Sequence, residues 1–187
     1  MIDLHLHFDG SLLPRMVLEL ADEQGIELPA REPDELKLFL TAPADCESLN
    51  EYLEKFDLPL LVLQTKEAIR KGMYTLASSL KEQGMLYAEI RFAPQLHTKK
   101  GLTQDQVVKA AILGLQEALA GSFFKAKLIL CCMRGTDNLE ENLLTVRTAA
   151  AYLGRGVAAV DLAGAEALYP TEDYEKVFAL ARELSVP

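Results

Sequence analysis

Residues 2–12 read IDLHLHFDGSL, and the reading of this stretch decides between two folds. Apolar Ile2, Leu4, Leu6 and Phe8 alternate with polar Asp3, His5 and His7. A period of two is that of a β-strand with two unlike faces. The residues after the strand matter as much. An open, doubly wound sheet ordinarily turns from its first strand into a glycine-rich phosphate loop, G-x-G-x-x-G. Here the strand leads into FDGSL, which lacks that signature.

Outward from this strand the chain alternates in type. Ser11 is placed to cap a helix carrying Leu18, Leu20 and Ala21, which stops at Gly25. Prolines break residues 26–60, although ESLNEYLEKF (47–56) spaces Leu49, Leu53 and Phe56 helically. A longer helix starts near Thr65, sets Ile69, Met73, Leu76 and Leu80 on one face, and ends at Gly84. MLYAEIRFAP (85–94) is a strand with Ala88, Ile90 and Phe92 opposite Glu89 and Arg91. Thr103 and Gln106 form a capping box ahead of a helix that ends at Gly121. AKLILCCM (126–133) is an apolar run but for Lys127, as in a strand covered on both faces. Asp137 and Glu140 are placed to cap a helix that closes at Gly154, GVAAVDLAG (156–164) is a fourth strand, and TEDYEKVFALAREL (171–184) is a last amphipathic helix. Strand, helix, strand, helix without repeats is the rhythm of parallel α/β architecture.

A complete eight-stranded α/β barrel takes ~250 residues. The 187 residues supply four strand–helix units, so the expected fold is an α/β (β/α)8 TIM-type barrel of which this chain forms about the first four units. Residues 1–187 are then the N-terminal part of a single barrel domain. Such a half would leave parallel edges and an apolar interior exposed, and should need its missing half or a partner to close it.

Composition narrows the partners. With 28 acidic and 19 basic residues the formal charge is −9, which repels nucleic-acid phosphates and anionic membrane surfaces. The N-terminus MIDLHLHF lacks a basic segment leading into a long apolar run, and no apolar run reaches the ~20 residues of a spanning helix. The expectation is a soluble cytoplasmic protein that binds neither nucleic acid nor membrane. Cys46, Cys131 and Cys132 form no C-x-x-C motif and read as reduced core cysteines of the cytoplasm.

The chemistry concentrates at the first strand. The chain has only three histidines, and two of them, His5 and His7, stand two apart on one strand face, with Cα atoms ~6.5 Å apart. Imidazoles so placed can converge on one cation at ~2.0–2.1 Å per bond, and zinc suits neutral imidazole better than magnesium or calcium does. The bland alternative is the polar face of a half-solvated strand. Position favours the metal, because the C-terminal strand ends of an α/β barrel face the active site. His97, after the second strand, is either a third ligand or a solvated loop histidine. Asp9 is either a carboxylate serving the site or a turn residue ahead of Gly10. Glu89 and Arg91 read as internal ion-pairing groups. Asp161 and Gly164 end the fourth strand, where glycine lets a backbone approach a ligand.

DLHLHFDGSL (3–12), YAEIRFAPQLH (87–97) and VDLAG (160–164), in this order and at this spacing, resemble the landmarks of the adenosine deaminase family of metal-dependent amidohydrolases. The resemblance spans essentially the whole chain. It implies a zinc-dependent barrel that hydrolyses the 6-amino group of adenosine or a related purine nucleoside, releasing ammonia. By position it implies that His5 and His7 bind zinc, that His7 and Asp9 contact the nucleoside, and that Gly164 contacts the purine through its backbone. Tyr52, Leu53 and Phe56 match a helix over the substrate mouth. Ala165 departs from the family's usual acidic residue, and Phe8 from its common leucine. The third zinc histidine, the proton-donating glutamate, the later histidine base and an aspartate ligand would all lie downstream of Pro187, so no catalytic acid or base is expected within the chain. The 187 residues alone are therefore expected to be inactive, as a fragment of a longer enzyme. The alternatives are a noncatalytic half-barrel that assembles with itself or a partner, and another amidohydrolase acting on an aminopurine.

Overall fold

The structure, a computed structural model, describes residues 1–46 and 48–187. Four strands, β1 (Ile2–His7), β2 (Tyr87–Phe92), β3 (Lys125–Met133) and β4 (Val157–Ala163), form one sheet in the order β1-β2-β3-β4, and every pairing is parallel. Crossovers between parallel strands are right-handed. When successive strands are always added on the same side, that handedness puts every crossover on one face of the sheet. A doubly wound sheet must reverse direction to cover both faces, and this one does not reverse. The order alone therefore separates the two folds that the sequence left in competition, and it selects the barrel.

The helices are α1 (Pro14–Gln24), α2 (Pro33–Leu40), α3 (Leu49–Leu53), α4 (Asp57–Val62), α5 (Lys66–Glu82), α6 (Gln104–Leu119), α7 (Leu139–Tyr152) and α8 (Glu175–Glu183). Ala88, Ile90 and Phe92 of β2 and Ala126, Leu128, Leu130 and Cys132 of β3 pack beneath them, against Ile69, Met73, Val108, Ala111, Leu115, Val146 and Ala149. The opposite side of these strands carries Glu89 and Arg91, Lys127 and Cys131, and Asp161 of β4. It is more polar than the apolar interior expected from the sequence. Cys131 and Cys132 are buried, as expected of core cysteines, but Cys46 is only half-buried. At the outer edge of β4 the Val160 N–H donates to the Pro187 carbonyl, where a fifth parallel strand would begin.

Helix ends obey the sequence where chemistry is local. Thr103 accepts from the Gln106 N–H while the Gln106 side chain accepts from the Thr103 N–H, closing the capping box. Gly25 ends α1 in the left-handed region at φ 63°. Two caps differ from expectation. Ser11 lies in a 3-10 turn with Asp9 and Gly10, and α1 begins at Pro14, whose missing N–H is no loss at a first turn. Asn138, not Asp137, precedes α7, and Asp137 sits at φ 54°. Within 26–60, α2 starts on Pro33, and ESLNEYLEKF resolves into α3 and a 3-10 turn at Glu54–Phe56, with α4 following directly from Asp57; its Glu47 lies outside the described residues.

The largest helix contact, α5 on α6, is a backbone contact. A Cβ on Gly114 would lie 2.1 Å from the Arg70 carbonyl oxygen and 3.1 Å from the Tyr74 nitrogen. Alanine would gain ~1 kcal/mol of helix propensity. Overpacking costs ~1–3 kcal/mol, and at this distance it falls at the upper end because the obstacle is rigid backbone. Gly114→Ala is therefore expected to destabilise the protein by about 2 kcal/mol net, read as a lower urea midpoint at unchanged slope.

His97 is the clearest departure from the sequence reading. It is neither a ligand nor solvated: it is fully buried in the helix layer, its Nδ1 lies 2.9 Å from the Leu63 carbonyl, and Phe8 and Phe92 flank its ring. The strand-ending Pro94 starts a 3-10 turn that carries the imidazole back beneath β1 and β2. Burial pushes its pKa down to about 4. Between pH 6.5 and about 4 the unfolded chain binds a proton that the folded chain refuses, so this contribution is whole above pH 6.5 and is lost as pH falls. The loss amounts to about 3 kcal/mol at pH 4. Asp9, which burial pushes up to about 6, contributes in the opposite direction over nearly the same window. Wild-type stability should thus vary little there, whereas His97→Asn should become relatively more stable as pH drops from 7 to 4.5, as urea midpoints at the two pH values would show.

Candidate active-site cleft

The register of β1 against β2 contains one irregularity. Asp3 stands opposite Ala88 and Leu6 opposite Ile90, so Leu4 and His5 together face Glu89 alone. This is a β-bulge, and it reverses the inward–outward alternation below it. Asp3 is therefore not on the histidine face: with Leu6 it lines a groove against Met16, Leu76 and Leu80, while Ile2 and Leu4 are exposed. The Asp3 carboxylate accepts the His5 N–H at 2.9 Å and holds the bulge from within. Beyond the bulge the alternation is the expected one, and His5 and His7 point to the same side.

Both histidines open into a cleft of about 430 Å³ at the C-terminal ends of the strands. Asp9, Tyr52, Leu53, Phe56, Arg91, Cys131, Arg134, Asp161 and Gly164 share its lining, so the structure gathers residues from segments distant in sequence. Tyr52 and Phe56 meet edge to face at 5.7 Å, and Phe56 meets the His7 ring at 5.7 Å. Gly10 makes that closure possible, since a Cβ there would lie 2.9 Å from the Phe56 ring. Phe8, by contrast, faces the core, so its departure from leucine changes packing and not the cleft.

Arg91 ties the floor together. Its guanidinium donates to Asp161 at 2.6 Å and to the Leu4 carbonyl in the bulge at 3.1 Å, joining β4 to β1 across β3. The internal ion pair expected of Arg91 thus exists, but with Asp161; Glu89 instead accepts from the Tyr87 hydroxyl at 2.9 Å and lies outside the cleft lining. Burial, then His5 and Arg91, hold His7 below the ordinary histidine pKa, so it is a neutral donor at pH 7. Burial pushes the Cys131 thiol well up, which makes it a poor nucleophile.

The spacing of the histidine pair is compatible with a shared cation. Imidazoles on one tetrahedral ion at ~2.1 Å have ring centroids about 5 Å apart; those of His5 and His7 are 5.4 Å apart. Among the described residues no three His, Cys, Asp or Glu side chains gather tightly enough to hold a metal by themselves. The pair fits half of a catalytic zinc set, which needs three protein ligands and an open position.

The adenosine deaminase family profile matches residues 1–186. The chain belongs to that family. It is 50% identical over 190 aligned residues to the adenosine deaminase of Haemophilus ducreyi, a match covering all of this chain and 55% of that protein. The fold is that of an adenine deaminase from Arthrobacter aurescens, with TM-score 0.80 at 26% identity over 99% of this chain and 55% of the other. An amidohydrolase from Burkholderia ambifaria with bound zinc shares it at TM-score 0.82 and 18% identity, over 99% of this chain and 50% of the other. The chain spans about half the length of the curated relatives it matches. Its four units are thus those of a (β/α)8 amidohydrolase barrel. No helix among the described residues is long and apolar enough to cross a membrane.

Proposed function

We propose that residues 1–187 are the N-terminal part of one barrel domain whose complete form hydrolytically deaminates adenosine or a closely related purine nucleoside with the help of zinc. The observation that carries this reading is the convergence of His5, His7, Asp9 and Gly164 on one cleft, beneath Tyr52 and Phe56, in a chain of this family. His5 and His7 would hold the metal. Zinc, when bound, lowers the pKa of its water to ~7 and so makes a nucleophile available at neutral pH.

The chain's own groups prepare the rest. His7 stays neutral, as a ligand must be. Asp9 is 5% exposed, and its carboxylate, ionised above a pKa raised to about 6, can accept a hydrogen bond from a substrate hydroxyl that enters the cleft. Gly164, at φ 117°, presents backbone without a side chain in the way of a flat base. Tyr52, Leu53 and Phe56 cover the mouth with apolar surface and shed water from it. The acid that protonates the ring nitrogen and the remaining ligands belong to the other half of the barrel in this reading.

The test is turnover by the full-length protein, monitored as loss of the adenosine absorbance. The expected result is conversion to inosine that is abolished by chelation and restored by zinc. Deoxyadenosine, adenine and N6-modified nucleosides run alongside, and exclusive turnover of one of these would move the substrate within the family. No turnover of any aminopurine with zinc present would overturn the reading.

A further inference from the structure

Arg134 lies one residue beyond β3, and the proposed cleft chemistry makes no use of it. Its side chain is 7% exposed. One guanidinium nitrogen donates to the Tyr169 carbonyl at 2.6 Å; another donates to Glu166 Oε1 at 2.9 Å and to Thr171 Oγ1 at 2.9 Å. The Thr171 hydroxyl in turn donates a hydrogen bond to the same Glu166 oxygen at 2.8 Å, so the acceptors are joined to one another. All of them lie in the segment that connects β4 to α8. Tyr174, whose hydroxyl accepts from the Gly135 N–H at 2.7 Å, places its ring 5.9 Å from the guanidinium carbon.

The same residue touches the start of that segment. The Arg134 N–H donates to the Ala163 carbonyl at 2.8 Å, which extends the β3–β4 ladder one residue past the end of β3. A Cβ on Gly164 would lie 3.1 Å from the Arg134 Cβ. Gly164 and Arg134 are therefore packed face to face, and both line the cleft. Arg134 holds Ala163, the last residue of β4, through its backbone, and residues 166, 169 and 171 of the segment through its fork. A planar fork with fixed donor directions serves separated acceptors from separate nitrogens at once, whereas an ammonium group carries its three donors on one freely rotating nitrogen and does not fix the acceptors relative to one another.

We propose that Arg134 is a positioning residue: it locks residues 164–171 as one piece and so fixes the height and angle at which the Gly164 backbone meets a ligand in the cleft. This rests on the proposed purine contact of Gly164. The consequence is a ligand-binding defect without a metal defect. Misplacing a contact by about 1 Å can cost ~10²-fold, so in Arg134→Lys the adenosine kcat/KM should fall about 10²-fold, carried mainly by KM, with zinc content unchanged. If charge alone mattered, lysine would rescue.

Hydrogen exchange on the full-length protein, comparing wild type with Arg134→Lys and with Thr171→Val, reads the lock independently of catalysis. Thr171 lies outside the cleft, and Thr171→Val removes one acceptor of the fork together with the hydroxyl's own bond to Glu166 while leaving Arg134 and its other acceptors in place, which keeps a folded variant in hand. The expected result is exchange at residues 164–169 faster by roughly 10-fold in the lysine variant and less so in the valine variant, with β3 and β4 unchanged. Unchanged exchange in that segment overturns the lock. Faster exchange with unchanged KM overturns the positioning role. If wild type turns over no aminopurine, the function assigned to the cleft fails, while exchange still decides whether Arg134 locks the segment.

Discussion

Arg91→Met is expected to cost about 2–3 kcal/mol of stability, which for a domain of this size lowers the melting temperature by roughly 8 °C. The side chain is nearly buried, at 10% exposure, and its partner Asp161 is 34% exposed. Methionine replaces the stem's volume, so the cost comes from charge and hydrogen bonding, not from a cavity. Asp161 would be left with a carboxylate facing the buried floor, and the Leu4 carbonyl in the β1 bulge would lose its donor. Removing one member of a buried pair costs more than the pair is worth, because the survivor keeps its desolvation penalty. The double variant Arg91→Met with Asp161→Leu should therefore recover a large part of the loss. Thermal melts of the wild type, the single variant and the double variant form the check. A single variant that melts within about 2 °C of wild type, a difference of about 1 kcal/mol or less, would mean that the floor does not depend on this pair.

His7→Ala should have the largest effect on function. On the proposed reading His7 supplies one of about three protein ligands, and without the metal the attacking water returns from a pKa of ~7 to the far higher value of bulk water. Adenosine turnover in the full-length protein should drop to assay background, and added zinc should not restore it. Stability should change little in comparison, because the His7 ring makes no hydrogen bond among the described residues and is only half-buried. His7→Gln separates size from ligation: it refills the space beside Phe56 and should be as inactive as alanine. Activity within a few fold of wild type in both variants would remove His7 from the chemistry.

Much of this molecule is legible in its sequence because the signals are local. The H-x-H pair, the capping box at Thr103 and Gln106, the left-handed glycine ending α1 and the apolar run of β3 each rest on contacts within a few residues. The hidden features depend on neighbours remote in the chain. Nothing in IDLHLHF announces that two of its residues face one residue of β2, so the period of two puts Asp3 on the wrong face. Pro33 reads as a breaker until it is seen at the first turn of α2, where proline is at home. His97 reads as a surface or ligand histidine because its surroundings, Leu63, Phe8 and Phe92, come from segments 5 to about 90 residues away. The choice of fold is the reverse case: a missing glycine motif points to the barrel, and the unreversed strand order gives the physical reason.

Arg91 and Arg134 show the same limit at the site itself. Each sits at the end of a strand whose polar side would suit any internal ion pair, and sequence spacing cannot say which acceptors lie across the sheet. Arg91 reaches 70 residues along the chain to Asp161, and Arg134 reaches 32 to 37 residues to Glu166, Tyr169 and Thr171. Both therefore act on the cleft through groups that only the parallel sheet brings near.

The account turns on His5 and His7 sharing one metal ion, and the most direct measurement is the metal content of the full-length protein by inductively coupled plasma mass spectrometry, beside His5→Ala and His7→Ala. The account predicts about one zinc per chain in the wild type and close to none in either variant after dialysis. Zinc retained in full by both variants would place the ion elsewhere and contradict it.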